Sequence, residues 1–261
     1  MNEHDLGLAH DLATLRSRRR VLALFGGAGL AVLAACSPDP REPGAATSGT
    51  SVPGSLAEIP AETGGPYPGD GSNGPNVLTE SGIVRSDIRS SIGSASGVAD
   101  GVPLTIDLTV LEADTAAPLA GAAIYLWHCD RLGRYSMYSP GVTGENYLRG
   151  VQAADDAGKL RFTSVFPAAY SGRWPHVHFE VYPSLSAATT AGGKLITSQL
   201  ALPEDVCRTV YATDAYTASG RNLAATSLAT DMVFRDGYDH QMATVTGDVS
   251  PGFTAALTVA V

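Results

Sequence analysis

The sequence has no excess of positive charge. Its 261 residues include 17 Lys and Arg against 26 Asp and Glu, and the formal net charge is −9 at pH 7. Proteins that bind nucleic acid need a clustered basic surface to neutralise phosphates, and no basic patch interrupts the acidic pattern. We therefore expect no nucleic-acid partner.

Long apolar runs are also missing. The stretch Val21–Ala34 is too short for a comfortable membrane span, and its glycines leave no helical stripe. It overlaps Ser17–Leu22, which resembles a twin-arginine export signal, and leads into Leu33–Cys36, which resembles a bacterial lipobox. We predict that residues 1–36 are an export signal cleaved before Cys36. The protein is then extracytoplasmic and attached to the membrane only through a lipid on that thiol.

Cysteine is scarce, with three residues in the whole chain. If Cys36 carries lipid, Cys129 and Cys207 remain in a compartment that is expected to be oxidising. We expect a disulfide between them, which would join the strand leading to Tyr135 to the segment after Gln199. Two buried free thiols, or thiolates that bind a softer metal, are the alternatives.

Large apolar side chains are almost absent from residues 37–60, where Pro, Gly, Ser, Thr and Ala dominate. This composition predicts a flexible tether. The remaining residues, 61–261, are enough for one domain with one sizeable core. The sequence leaves the oligomeric state open.

Short segments with strand character fill this domain, and turn residues separate them. Leu104–Val110 alternates apolar and polar side chains with period two, as a half-buried strand does. Pro203–Tyr211 could be a short helix, with acidic residues in its first turn. The pattern predicts an all-β fold, a β-sandwich of two mostly antiparallel sheets with short helices only. The other candidate strands are Ala123–His128, Lys159–Val165, His176–Tyr182, Lys194–Ala201, Asp231–Arg235, Gln241–Thr246 and Thr254–Val261.

Potential metal ligands are concentrated near one of these strands. His176 and His178 alternate along it, so both imidazoles project from the same face. Tyr170 stands six positions earlier in a turn, and Tyr135 follows a Gly-Arg corner, with Tyr138 as a nearby competitor. A phenol binds as an anion only when a strongly Lewis-acidic ion offsets the cost of deprotonation. Anionic oxygens together with imidazoles favour ferric iron over zinc or cuprous copper.

These residues carry a family resemblance. Gly133–Tyr135, Tyr170 and Arg173–Phe179 resemble the metal motif of intradiol ring-cleavage dioxygenases, non-haem ferric enzymes that open catechols between the two hydroxylated carbons. The resemblance covers roughly residues 60 to 261 and is closest to the small exported members of the family. Further matching runs, in the expected order, are Gly65–Pro68, Ser81–Arg89 and Ile196–Leu200.

The resemblance implies a role for each residue. Tyr135 and His176 would stay on a non-haem Fe(III), whereas Tyr170 and His178 would be the axial pair. Tyr170 would leave when a catechol-type substrate arrives and would help to take its proton, after which dioxygen reacts. Arg173 would face the bound diol and stabilise developing charge. Two further polar groups are implied, namely Gln199 as a neighbouring partner and Tyr67 at the mouth of the pocket.

Two other classes of protein remain open at this point. A zinc or cupin-like site could use His176, His178 and Glu180, which share strand parity, with His240 as a fourth ligand. A catalytically inactive module that binds ligands at the cell surface would keep the fold without turnover. We interpret His128 as structural, and we expect Trp127 and Trp174 in the core and at the rim of the site.

Overall fold

The computed structural model describes residues 54–190 and 192–261. The predicted export signal, the lipidation site Cys36 and residues 37–53 of the predicted tether lie outside the described residues. Within the described ranges, no helix is both long and apolar enough to cross a membrane.

Eight strands of the described chain form two four-stranded sheets, which confirms the predicted β-sandwich. The first sheet has the strand order β4-β1-β8-β7 and the second has the order β3-β2-β5-β6. All neighbouring strands are antiparallel except β1 and β8, which are parallel. The strands are β1 (Pro103–Leu111), β2 (Ala123–Trp127), β3 (Arg149–Ala153), β4 (Lys159–Val165), β5 (His176–Tyr182), β6 (Ile196–Ala201), β7 (Thr244–Asp248) and β8 (Gly252–Ala260).

The core lies between the sheets and follows from the alternation of side chains along each strand. Leu104, Ile106 and Leu108 of β1 point inward and are at most 1% exposed. They join one apolar cluster with residues of β2 and β5, such as Leu126 and Phe179. Burial of this surface is the main favourable term that holds the two sheets together.

The second sheet is buried on its outer face as well. Every residue of β2 and β5 is buried, although only alternate residues can face the first sheet. The outward residues of β2, Tyr125 and Trp127, pack with Tyr135 and Tyr182 in a second cluster beneath the connecting loops. The histidines of β5 share this covered face, because His178 pairs directly with Trp127 across the two strands.

Helices of the described chain are short, as predicted. They are α1 (Leu185–Thr189), α2 (Glu204–Tyr211) and α3 (Thr217–Ala224), and the second agrees with the predicted helix. Both α2 and α3 belong to the connection between β6 and β7.

One predicted strand is wrong, and one observed strand was not predicted. Asp231–Arg235 is a turn that leads into a 3-10 helix at Phe234–Asp236, because the Asp231 carboxylate accepts hydrogen bonds from the backbone N–H groups of Val233 and Phe234. Strand β3 was missed, because Arg149–Ala153 shows no apolar alternation and gains its strand conformation by pairing with β2.

The expected disulfide is also wrong. Cys129 and Cys207 are both buried free thiols. Cys129 packs in the cluster beneath the loops, where its Sγ lies 3.6 Å from the Ala168 carbonyl oxygen, whereas Cys207 of α2 packs in the core between the sheets. The two thiols therefore remain unpaired, each in a different apolar cluster. Burial raises the pKa of both thiols above the ordinary range.

Candidate active site

Four of the predicted donor atoms converge above the outer face of β5. The hydroxyl oxygens of Tyr135 and Tyr170 lie 3.4 Å apart, and the Tyr170 oxygen is 3.1 Å from Nε2 of His176. Nε2 of His176 is in turn 3.1 Å from Nε2 of His178. The structure therefore brings together all four residues that the sequence indicated as metal ligands.

The backbone of the loop before β5 fixes the orientation of His176. Its Nδ1 donates to the Trp174 carbonyl oxygen at 2.5 Å. A carbonyl can only accept, so the proton is on Nδ1 and the lone pair of Nε2 points into the cluster. The imidazole of His178 is oriented differently, by stacking on the indole ring of Trp127.

A tight turn sets the position of Tyr135. The Asp130 carboxylate accepts hydrogen bonds from the backbone N–H and the guanidinium of Arg134. Gly133 has a φ of 81°, in the left-handed region that favours glycine, and a Cβ there would lie 3.3 Å from Cβ of Tyr170. The Gly-Arg corner thus allows the two tyrosine-bearing loops to approach each other closely.

The loop that carries Tyr170 is held by the connection between β6 and β7. Ser219 accepts a hydrogen bond from the Ala169 backbone N–H, and Asn222 donates to the carbonyl oxygen of the same residue. Tyr216 and Tyr211 donate to the carbonyl oxygens of Phe166 and Pro167. Helix α3 and its neighbours therefore fix the residues immediately before Tyr170.

Tyr170 is more exposed than the other three donor residues. Tyr135, His176 and His178 are 3%, 2% and 3% exposed, whereas Tyr170 is half-buried. Tyr170 also lines a cleft of about 540 Å³ that extends towards α3. Of the four residues, Tyr170 is therefore the one that solvent reaches, whereas none of the other three lines this cleft.

Burial holds the phenol of Tyr135 and both imidazoles of the cluster in their neutral forms. Burial, and next the neighbouring Tyr170, raise the pKa of Tyr135 well above its ordinary value. Burial also lowers the pKa of both histidines far below the usual range, helped first by Arg173 at His176 and by His176 at His178. The imidazoles are thus neutral and available as ligands, and a highly charged cation would offset the cost of ionising the phenols.

The residues present fit a ferric ion. Ligand atoms about 2.0–2.1 Å from one ion lie about 3 Å from each other, which matches the spacing of the four oxygen and nitrogen atoms. Two phenol oxygens with two imidazoles form a harder donor set than zinc or cuprous copper prefers.

The alternative zinc site is not formed. Among residues 54–190 and 192–261, no three His, Cys, Asp or Glu side chains are grouped as metal ligands. Glu180 shares the strand face with the histidines, but its carboxylate accepts hydrogen bonds from Tyr182 and Lys194. His240 is exposed and lines a groove beside Leu56 and β8, where no other histidine lies.

Arg173 and Gln199 form a buried pair beside the cluster. Nη2 of Arg173 donates to Oε1 of Gln199 at 2.6 Å, and Gln199 also donates to the Thr63 carbonyl oxygen. The register of the sheet places Gln199 opposite His178. Gln199 therefore lies beside His178, with Arg173 as its hydrogen-bond partner.

Tyr67 packs against the ring of Tyr135. The ring centroids of Tyr67 and Tyr135 are 5.1 Å apart, and Tyr67 is half-buried, as a residue at a pocket mouth would be. The competitor Tyr138 is engaged elsewhere, because its hydroxyl accepts from the Gly69 N–H and donates to the Asn73 carbonyl oxygen.

The sequence interpretation overlooked Arg149. This guanidinium is 1% exposed and donates to five acceptors without a carboxylate among them: the carbonyl oxygens of Tyr67, Pro68 and Ser136, and the hydroxyl oxygens of Ser136 and Tyr125. It ties the segment of Tyr67 to the loop of Tyr135. The sequence feature that could have indicated Arg149 is that it is the one charged residue in the run 146–153.

Asp231 was also overlooked. Its fully buried carboxylate accepts a hydrogen bond from Nε of Arg173 at 3.0 Å, over 58 residues of sequence. The sequence feature that could have indicated Asp231 is its place at the start of a turn. Aspartates there often accept hydrogen bonds from backbone N–H groups two or three positions later.

His128 has the structural role predicted for it. Its two ring nitrogens lie 2.8 Å from the Cys129 carbonyl oxygen and 2.7 Å from the Ser164 hydroxyl. Trp127 and Trp174 are both buried, so neither lies at an exposed rim.

Comparison with known proteins agrees with this geometry. The family model described as "Dioxygenase" matches residues 73–233. An intradiol ring-cleavage dioxygenase from Tetranychus urticae has a similar fold, with a TM-score of 0.60 and 22% sequence identity over 78% of this chain and 94% of that chain.

Two curated relatives match shorter segments. Chlorocatechol 1,2-dioxygenase from Rhodococcus opacus is 34% identical over 56 residues, which are 22% of this chain and 22% of that protein. Catechol 1,2-dioxygenase from Pseudomonas sp. (strain EST1001) is 41% identical over 58 residues, which are 22% of this chain and 19% of that protein. The chain spans about a fifth of the length of the curated relatives that it matches. The extent of the family match and the shared fold establish that the chain belongs to the intradiol ring-cleavage dioxygenase family.

Proposed function

We propose that the protein is a non-haem Fe(III)-dependent intradiol dioxygenase. It inserts both atoms of dioxygen into a catechol-type aromatic compound and cleaves the ring between the two hydroxylated carbons. The observation that carries this proposal is the convergence of Tyr135, Tyr170, His176 and His178, with neighbouring donor atoms 3.1–3.4 Å apart. Ferric iron held there would draw electron density from a bound catechol ring and make the ring reactive towards dioxygen.

The side chains of the cluster divide the work according to their burial. Tyr170 is half-buried whereas the other three donors are buried, so it is the donor that an incoming diol can displace. Its phenolate oxygen then accepts a proton from a hydroxyl group of the diol. Tyr135 is enclosed and held by its turn, and Nε2 of His176 is fixed by the hydrogen bond from its own Nδ1.

Arg173 supplies positive charge beside the place where the diol binds. Its buried guanidinium stabilises negative charge that develops on the substrate, and this effect is stronger in a site from which water is excluded. Tyr67 limits the opening on the side of Tyr135 and contacts the ring of the substrate.

The experiment that tests this function is an absorption spectrum of the purified protein with iron quantification, before and after anaerobic addition of catechol. We expect a broad visible band from tyrosinate-to-iron charge transfer, about one iron per chain, and a shift to longer wavelength with catechol. Dioxygen should then convert catechol to a ring-opened diacid. A colourless protein that gains no band when ferric iron is supplied would refute the proposal.

We also propose that the protein is exported and anchored by lipid at Cys36, on the strength of the arginine run and the lipobox in its sequence. Intact-mass analysis of the protein from its native host should give a chain that begins at Cys36 and carries lipid. An unmodified chain that still begins at Met1 would refute this part of the proposal.

A further inference from the structure

The carboxylate of Asp231 contacts two consecutive residues of the loop that enters β5. Oδ2 accepts hydrogen bonds from Nε of Arg173 at 3.0 Å and from the backbone N–H of Trp174 at 2.6 Å. Oδ1 accepts from the backbone N–H groups of Val233 and Phe234 at 2.8 and 3.2 Å. The carboxylate is 0% exposed, so protein groups surround it completely.

All four of these partners are donors. An ionised carboxylate is the one ordinary side chain of this size that satisfies four donors and also neutralises a buried guanidinium. An asparagine of the same shape would turn its NH₂ group towards donors on one side or the other. The contacts therefore require an aspartate at this position and not merely a polar side chain of the same volume.

Both anchored residues lead directly into the cluster. Arg173 reaches Gln199 with Nη2 while Asp231 holds its Nε, so the plane of the guanidinium is fixed at two edges. The carbonyl oxygen of Trp174 accepts the proton of His176 Nδ1, so the position of this backbone unit determines the direction of the His176 lone pair. One carboxylate thus influences two functional side chains by separate routes.

We propose that Asp231 is a positioning residue that aligns Arg173 with the substrate site and His176 with the metal site. The inference deepens the proposed function and rests on it. Asp231 itself touches neither the donor atoms nor the place where the diol binds. It acts through the Arg173 guanidinium and through the backbone of Trp174, whose N–H donates to Asp231 and whose carbonyl oxygen accepts from His176.

The test compares the wild type with Asp231→Asn and with a matched control, Asp107→Asn. Asp107 is a partly exposed residue on the outer face of β1 that pairs with Arg161, also through a side-chain carboxylate. For each protein the measurements are iron per chain, the rate of iron release to a chelator, the visible band, and kcat and KM for catechol. We expect Asp231→Asn to release iron about 10–100-fold faster and to lower kcat by a similar factor, as loss of groups behind metal ligands commonly does. Asp107→Asn should match the wild type.

The effect of Asp231 through Arg173 can be separated from its effect through Trp174 and His176 by combining Asp231→Asn with Arg173→Gln. If Asp231 acts on kcat through Arg173, Asp231→Asn should lower kcat little further in the Arg173→Gln background. The faster release of iron should persist there, because it depends on Trp174 and His176. Full additivity of the two effects on kcat would overturn the Arg173 route.

A measurement on the metal-free protein tests the contact with His176 without requiring the iron-loaded enzyme. The His176 Nδ1 proton should give a slowly exchanging downfield resonance in the ¹H NMR spectrum, and this resonance should shift or broaden in Asp231→Asn but not in Asp107→Asn. If Asp231→Asn does not fold, Asp231→Glu replaces it, because the added methylene displaces both donors of the loop. A folded Asp231 variant with the wild-type resonance, iron release and kcat would overturn the inference. A wild type without iron or activity would instead refute the proposed function, while the NMR comparison would still decide the contact with His176.

Discussion

The indole ring of Trp127 lies parallel to the imidazole of His178, with ring centroids 5.0 Å apart and an interplanar angle of 3°. The two residues are direct neighbours across β2 and β5. Nδ1 of His178 has no hydrogen-bond partner among the described residues, in contrast to Nδ1 of His176. The stacked indole is therefore the contact that sets the plane of the His178 ring.

Replacement of Trp127 tests this stacking. We expect Trp127→Phe to keep an aromatic face against His178 and to retain iron, whereas Trp127→Leu should release iron about tenfold faster or more. The measurement is the rate of iron loss to a chelator, followed at the visible band. Phe162→Leu removes a buried ring from the core between the sheets and serves as the control for general destabilisation. Equal release from the Leu and Phe variants of Trp127 would contradict the stacking argument.

The two tyrosines that compete for the donor position give a matched pair. Tyr135→Phe removes a hydroxyl 3.4 Å from that of Tyr170, so we expect loss of most of the iron and a weaker, shifted visible band. Tyr138→Phe removes a hydroxyl that is bonded to Gly69 and Asn73, so iron content and band should stay as in the wild type. The sandwich should remain folded in both, as judged by circular dichroism. If Tyr138→Phe lost iron and Tyr135→Phe kept it, Tyr138 and not Tyr135 would be the metal ligand.

Arg149 should be a large contributor to stability. Arg149→Met removes the donor of five hydrogen bonds, four of them buried, and we expect the free energy of unfolding to fall by about 3 kcal/mol or more. For a domain of this size, that corresponds to a melting temperature lower by roughly 6–12 °C. Arg149→Lys should recover only part of the loss, because an ammonium group cannot reach all five acceptors.

Calorimetry of the Arg149 variants checks this expectation against Arg161→Met. Arg161 is an exposed residue whose guanidinium pairs with Asp107 on the first sheet. We expect its loss to change the free energy of unfolding far less than the loss of Arg149, because an exposed ion pair contributes little. Similar losses for both arginines would mean that the buried network contributes no special stability.

Stability should depend on pH through Glu62. Burial, and next the charge of Asp236, raise the pKa of this carboxyl from 4.5 to about 7. Between these values the folded protein keeps a proton that the unfolded chain has released, so the free energy of unfolding decreases as pH rises from about 4.5 to about 7 and is level above. The decrease attributable to Glu62 should be at most about 3 kcal/mol.

Glu62→Gln should remove this contribution. Urea unfolding at several pH values should therefore show that the variant gains stability relative to the wild type as pH rises to 7, with no further gain above. Glu58→Gln, an exposed change four positions earlier, is the control and should follow the wild type throughout. A constant difference between Glu62→Gln and the wild type across this range would contradict the raised pKa.

The sequence by itself determined the fold class and indicated four side chains that the structure brings together. Period-two alternation predicts strands such as Leu104–Val110 and places His176 and His178 on one face, because successive side chains of a strand point to opposite sides. Tyr135 and Tyr170 could be selected because phenol and imidazole donors in one region indicate one kind of metal chemistry. These inferences use only local geometry and the properties of side chains.

Only the tertiary structure decided which distant residues support the cluster. A strand pattern has a period but does not specify its partners, so neither the stacking of Trp127 on His178 nor the placement of Gln199 opposite His178 could be read from it. The pairing of Asp231 with Arg173 crosses 58 residues. The same carboxylate accepts from the backbone N–H groups of Val233 and Phe234, which makes a turn of the strand predicted there. The two thiols were assigned to each other by counting, whereas packing placed them in separate apolar clusters. Such contacts depend on how sheets and loops pack in three dimensions. The local pattern does not specify them, because many different sequences satisfy the same pattern.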